Sequence, residues 1–171
     1  AENATSAVRL VAIGKAAAPN LLGGDNNTAV GASSLGTIAG TDNVAIGYVA
    51  LNANSGNQNV AVGRSALQSF TGGNATAVGY GAADSAGSQT YLTAVGRDAL
   101  GVATSGNNNT AVGYASLQTV DGAQNTALGS LALNADCGSD NVGLGFEALK
   151  VFTGSDATAV GSKSAQVLTT G

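Results

Sequence analysis

No imidazole is available anywhere in this chain, which has no histidine. That removes serine–histidine and cysteine–histidine nucleophile pairs, and with them the commonest metal ligand. Carboxylates are few. Glu2 and Glu147 lie far apart, and Asp25, Asp42, Asp140 and Asp156 fall in polar return segments. Carboxylates stacked at equivalent loop positions would bind calcium or form the paired acids of a glycosidase. Asn and Ser interrupt them in other copies and no calcium nonapeptide is present, so they read as solvated turn residues. Neither a cofactor nor a metal is expected, and the chain does not read as an enzyme. The spacing singles out a different set: Tyr48, Arg64, Tyr80, Arg97 and Tyr114, each 16 or 17 residues from the next. Stacked one above another, they would form an alternating aromatic–cation ladder. Such a ladder suits sugar rings or acidic glycans as candidate ligands, or else staples the chain to itself.

That interval belongs to the whole chain. Ten glycines, Gly14, Gly31, Gly47, Gly63, Gly79, Gly96, Gly113, Gly129, Gly145 and Gly161, recur at 16 or 17 residues. Each closes a [Thr/Val]-Ala-[Val/Ile/Leu]-Gly motif, with Gly143 replacing alanine once, and [Ala/Ser]-[Leu/Ala] follows two residues on. A period this short and regular marks a solenoid, one coil per repeat. We number positions from the motif glycine. Positions −3 and −1 are aliphatic or threonine and alternate with alanine at −2, the pattern of a strand. A glycine in every repeat and β-branched residues two apart argue against helix. A corner at the glycine, a weaker second strand around +3 and +4, and an Asn/Ser/Gly-rich return loop complete the coil. Residues 1–171 thus read as a single all-β repeat domain, a parallel β-roll or β-solenoid of about ten coils, with motif copies running close enough to both ends to read as a segment of a longer rod. At the inter-strand spacing it would be a rod roughly 50 Å long.

Composition agrees. Charged residues make up 9% of the chain and aromatics 4%, too little for an ordinary one-core domain, whereas the 44% hydrophobic content is too high and too regular for disorder. A net charge of −4 with six Lys and Arg leaves no basic stripe for nucleic acid. No apolar run approaches 18 residues, so no membrane insertion is expected. Asparagine at −4 (Asn27, Asn43, Asn59, Asn109, Asn125, Asn141) fits amide ladders or turn hydrogen bonds. Phe70 and Phe152, both at +7, are expected to plug the return loop, and the lone Cys137 sits in a turn.

The alanine rank admits two readings. One is a narrow space inside the coil; the other is a surface that sister rods approach closely. A coil burying two aliphatic side chains gains about 3–6 kcal/mol, against about 1.5 kcal/mol of ordering entropy per residue. That balance favours the second reading, in which Ala29, Ala45, Ala61, Ala77, Ala94, Ala111, Ala127 and Ala159 pack a homotrimer.

Asn43-Val44-Ala45-Ile46-Gly47 and Asn59-Val60-Ala61-Val62-Gly63 resemble the head repeats of trimeric autotransporter adhesins. The longer Asn109-Thr110-Ala111-Val112-Gly113-Tyr114-Ala115-Ser116-Leu117 is still more similar to repeats of bacteriophage tail fibres. The resemblance covers residues 8 to 166. It implies a left-handed parallel β-roll wound into a homotrimer that binds a host cell-surface glycan or outer-membrane receptor. The period here is longer than the adhesin repeat, and leucine stands at +4. Those departures favour a virion tail fibre, its receptor-binding shaft or tip, over an adhesin head on a bacterial outer surface. An ice-binding solenoid is a third expectation, for which Thr28, Thr76, Thr93, Thr110, Thr126 and Thr158 would have to form a flat rank.

Overall fold

A computed structural model describes residues 9–166 apart from 22, 23, 39, 54 and 104; Glu2 and both ends of the 1–171 domain lie outside the described residues. The chain winds as a parallel β-solenoid. Ten strands, from Leu10–Ile13 to Thr158–Val160, form one parallel sheet in chain order, each paired with the strand of the next repeat. Register follows the motif: Ala45 pairs with Ala61, Ala61 with Ala77, and Ala77 with Ala94. The 17-residue repeats hold the same register, so the extra residue is absorbed in the return loop.

Each strand occupies −3 to −1, as in Val44–Ile46 and Val60–Val62. Its end is fixed by the motif glycine. Gly113 has φ +132°, and a Cβ there would lie 2.6 Å from the carbonyl carbon and oxygen of Gly129 in the next coil. Conformation and close backbone approach both require glycine at that corner.

The expected second strand at +3 and +4 is not there. Residues +2 and +4 adopt left-handed backbone, as in Val49 (φ 50°) and Leu51 (φ 49°), and the segment is a turn. A short second strand forms instead at +6 and +7, in four repeats among the described residues. Asn20–Leu21 pairs with Thr37–Ile38, and Val102–Ala103 with Thr119–Val120. A third left-handed corner falls at −5, as at Asp42 (φ 60°). Hydrogen bonds between coils pin all three corners: Val49 N–H to Ala32 O at 3.0 Å, Leu51 N–H to Ala66 O at 2.9 Å, and Asp42 N–H to Asp25 O at 3.0 Å. Left-handed backbone costs a non-glycine residue about 1 kcal/mol, and the ladder holds it in place.

The core lies within each coil, between strand and turn, and here the alanine expectation is corrected. Ala29, Ala45, Ala61, Ala77, Ala94, Ala111 and Ala127 are fully buried inside a single chain, and Ala159 nearly so. They point inward with Leu35, Leu51, Leu67, Leu100, Leu117, Leu133 and Leu149 of the +4 rank. Asn at −4 and Ala or Ser at +3 share that interior, so the strand has room for one methyl group per coil. A face closed within one chain is not a surface for sister rods. Phe70 and Phe152 lie in the same core.

The inward asparagines form an amide ladder. Asn43 accepts the backbone N–H of Asn59 on Oδ1 at 2.9 Å and donates from Nδ2 to Gly56 O at 3.1 Å. The same rungs link Asn27 to Asn43 and Asn109 through Asn125 to Asn141. Each rung thereby gives a buried backbone N–H of the next coil its acceptor.

Candidate functional site

Because −2 points inward, −3 and −1 point out. Ile13, Ile46, Val78, Val95, Leu128 and Val160 are all exposed, Leu128 by 47% and Val160 by 69%. Along ten strands this is an outward face about 50 Å long and 7 Å wide, aliphatic throughout its −1 rank and mixed valine and threonine in its −3 rank. Single exposed aliphatics need no explanation; a rank of them along one side of the sheet is a candidate contact surface. Thr28, Thr76, Thr93, Thr110, Thr126 and Thr158 lie in its −3 rank, on the outward side of their strands.

The ladder runs along one border of this face, immediately past the glycine corner. The structure brings its five residues together in the expected order. The Arg64 guanidinium lies 5.4 Å from the ring centroid of Tyr48 and 5.8 Å from that of Tyr80. That of Arg97 lies 5.6 Å from Tyr80 and 5.9 Å from Tyr114. The three tyrosines are each about half exposed. Cation–π contacts at such exposed positions are worth about 0.5–1 kcal/mol each. Arg97 also donates from Nε to Asp98 Oδ2 at 3.0 Å, whereas Arg64 forms no ion pair among the described residues. Further along, Lys163 lies 5.9 Å from the ring of Phe146.

Acids fall on both sides of the coil, with Asp98 and Glu147 at +2 beside the ladder rank. At +1 the residues are Lys15, Ala32, Tyr48, Arg64, Tyr80, Arg97, Tyr114, Ser130, Phe146 and Ser162, with no acid among them. Asp25, Asp42, Asp140 and Asp156 fall at −6 or −5, on the opposite side of the strand. The aspartates expected to be turn residues thus line the far corner, spread over several coils. Among the described residues no cluster of three metal-ligating side chains occurs. Glu147 is held below the usual carboxylate range by hydrogen bonding with Lys150, whose Nζ donates at 2.7 Å. Burial raises Asp84 above its ordinary value.

Sequence reasoning missed the outward aliphatic face, although its residues had been identified as strand positions. It also missed Gln89, which stands at −7 where neighbouring repeats have glycine. Gln89 is buried, donates from Nε2 to Ala103 O at 3.0 Å, and its Oε1 has no partner among the described residues. No ligand-sized cavity opens onto it or elsewhere among them. Comparison with protein-family models, curated proteins and solved structures finds no match.

Proposed function

We propose that this chain is a structural and host-binding segment of a trimeric fibre, of the kind found in bacteriophage tails. Three rods pack through the outward −3 and −1 ranks, and each presents its Tyr–Arg ladder to the host surface. The observation that carries this reading is the aliphatic strip, solvent-exposed in a single chain and bordered by the ladder. Burying it among three copies removes the largest apolar exposure of the coil. The resemblance of the repeats to those of tail fibres supports the virion over a bacterial outer surface.

The test is absolute mass by light scattering coupled to size exclusion. Three times the 16.3 kDa chain mass is expected. Val78→Glu with Val112→Glu should yield monomers of unchanged circular dichroism, because both residues point away from the core. A monomeric wild-type rod would overturn the assembly. Ice adsorption is a second reading, favoured by the outward threonine rank. It uses the same face, so the two readings exclude one another. A monomer that shapes growing ice crystals would establish the second.

A further inference from the structure

From the ladder's geometry we infer that its ligand is an acidic polysaccharide, lying lengthwise on the rod with successive carboxylates on Arg64 and Arg97. The inference rests on the host-binding reading above and gives it a ligand class.

Arg64 comes from the coil below Tyr80 and Arg97 from the coil above, and both guanidinium groups lie over that ring. Both faces of Tyr80 are therefore taken by cations. The stacking platform expected for a neutral sugar ring is closed at the centre of the ladder. What faces solvent is its rim, a row of guanidinium N–H donors alternating with phenolic hydroxyls. Those groups recognise oxyanions, and a guanidinium fork engages a carboxylate through two parallel hydrogen bonds.

Arg64 has no acidic partner among the described residues, so its charge is directed outward. Arg97 spends only Nε on Asp98, and its side chain is 65% exposed. Held between aromatic rings, both guanidinium groups lose less rotamer freedom on binding than free arginines would. They stand two coils apart, about 10 Å by strand spacing. A polysaccharide with an acid on every second sugar repeats at a comparable interval. No acid stands in the +1 rank itself; Asp98, beside it at +2, offsets part of the charge of Arg97, so Arg64 carries the larger share of the field that attracts an anion. Beside the ladder, the +2 rank places the small Ser65 next to Arg64, whereas the Asp98 carboxylate reaches over Gly81 next to Tyr80, so the side of the ladder open to a chain is at Arg64.

Two probes test this: a hyaluronan decasaccharide and a polysialic acid of equal length, with neutral dextran as control. Binding to the full chain is read by surface plasmon resonance at low and physiological salt. The wild type should bind at least one acidic probe, more weakly as salt rises, and leave dextran unbound. Arg64→Ala with Arg97→Ala should weaken that binding at least tenfold, and Arg64→Ala should account for more of the loss than Arg97→Ala. Lys150→Ala, remote from the ladder, should leave it unchanged. Circular dichroism checks that the variants fold. Failure to bind either acidic probe, equal binding of dextran, or undiminished binding by the double variant would overturn the inference. Light scattering reads assembly separately: a trimer that ignores acidic glycans removes only the ligand, whereas a monomer removes the fibre.

Discussion

The backbone N–H of Ala75 donates to Oδ1 of Asn59 at 3.0 Å, and there the amide ladder stops, because Ala75 occupies the asparagine position without an amide. Leu92 fills the same place in the next coil, and the ladder resumes only at Asn109. Asn59→Ala should thus extend an existing gap, leaving the Ala75 N–H buried and unpaired. The expected loss is about 2 kcal/mol, measured as a fall in denaturant midpoint. Loss of less than a quarter of that would mean the rung contributes little.

The motif glycines should tolerate nothing else. Gly113→Ala puts a methyl group against the carbonyl of Gly129 and forces alanine to φ near +132°. A destabilisation of about 4 kcal/mol is expected. Near-native melting of that variant would show that the corner relaxes by a route other than the one described.

Val49 is a β-branched residue in left-handed backbone, at φ 50°. Its equivalent two coils on is Gly81, at φ 61°. Asparagine accepts that conformation far better than valine. Val49→Asn is expected to raise stability by about 1 kcal/mol, read from the thermal midpoint. A lower midpoint would mean that the valine side chain makes contacts worth more than the strain.

Phe70 and Phe152 each precede a coil whose +4 residue is alanine, Ala83 and Ala165, where most coils have leucine. Phe70 and Ala83 belong to the same core. Ala83→Leu alone should overpack it, costing about 2 kcal/mol. In a Phe70→Ala background the same change should be nearly neutral, giving a coupling of about 1–2 kcal/mol in a double-mutant cycle. Strict additivity would show that the ring and the alanine do not share space.

Burial pushes the Cys137 thiol up to about 11. The thiolate is the reactive form, so iodoacetamide at pH 8 should label native protein far more slowly than protein in denaturant. The raised value also favours the fold, because the native state keeps the thiol neutral. That contribution is complete below the unfolded thiol's pKa and disappears as pH rises towards 11. Labelling at equal rates in both states would place the thiol at the surface.

Motif spacing alone located all ten strands of the main sheet, since β-branched residues two apart before a glycine leave little else possible. An amide ladder was one of the two readings open for the −4 asparagines, and the order of Tyr48, Arg64, Tyr80, Arg97 and Tyr114 followed from the period. Sidedness was not legible. Alternation divides a strand into two faces without saying which is inside, and the larger side chains of Val44 and Ile46 looked like core beside Ala45. The coil interior is too thin for them: Leu51 from the turn and Asn43 from the loop leave space for a methyl group only. Nor was the turn at +2 to +4 readable, because leucine and valine carry no signature of left-handed backbone and adopt it here under inter-coil hydrogen bonds.

Every strand of the main sheet reaches only to its neighbours one repeat away, as Val60 pairs with Val44 on one side and Thr76 on the other. Length in this protein is consequently countable. Excising residues 48–63 joins Gly47 to Arg64 at an unchanged corner and shortens the rod by one step of about 4.8 Å. A duplication of the same stretch lengthens it by as much. Gain and loss of whole repeats during replication could then adjust the distance such a rod spans in fixed increments, with no new fold to be found at any step.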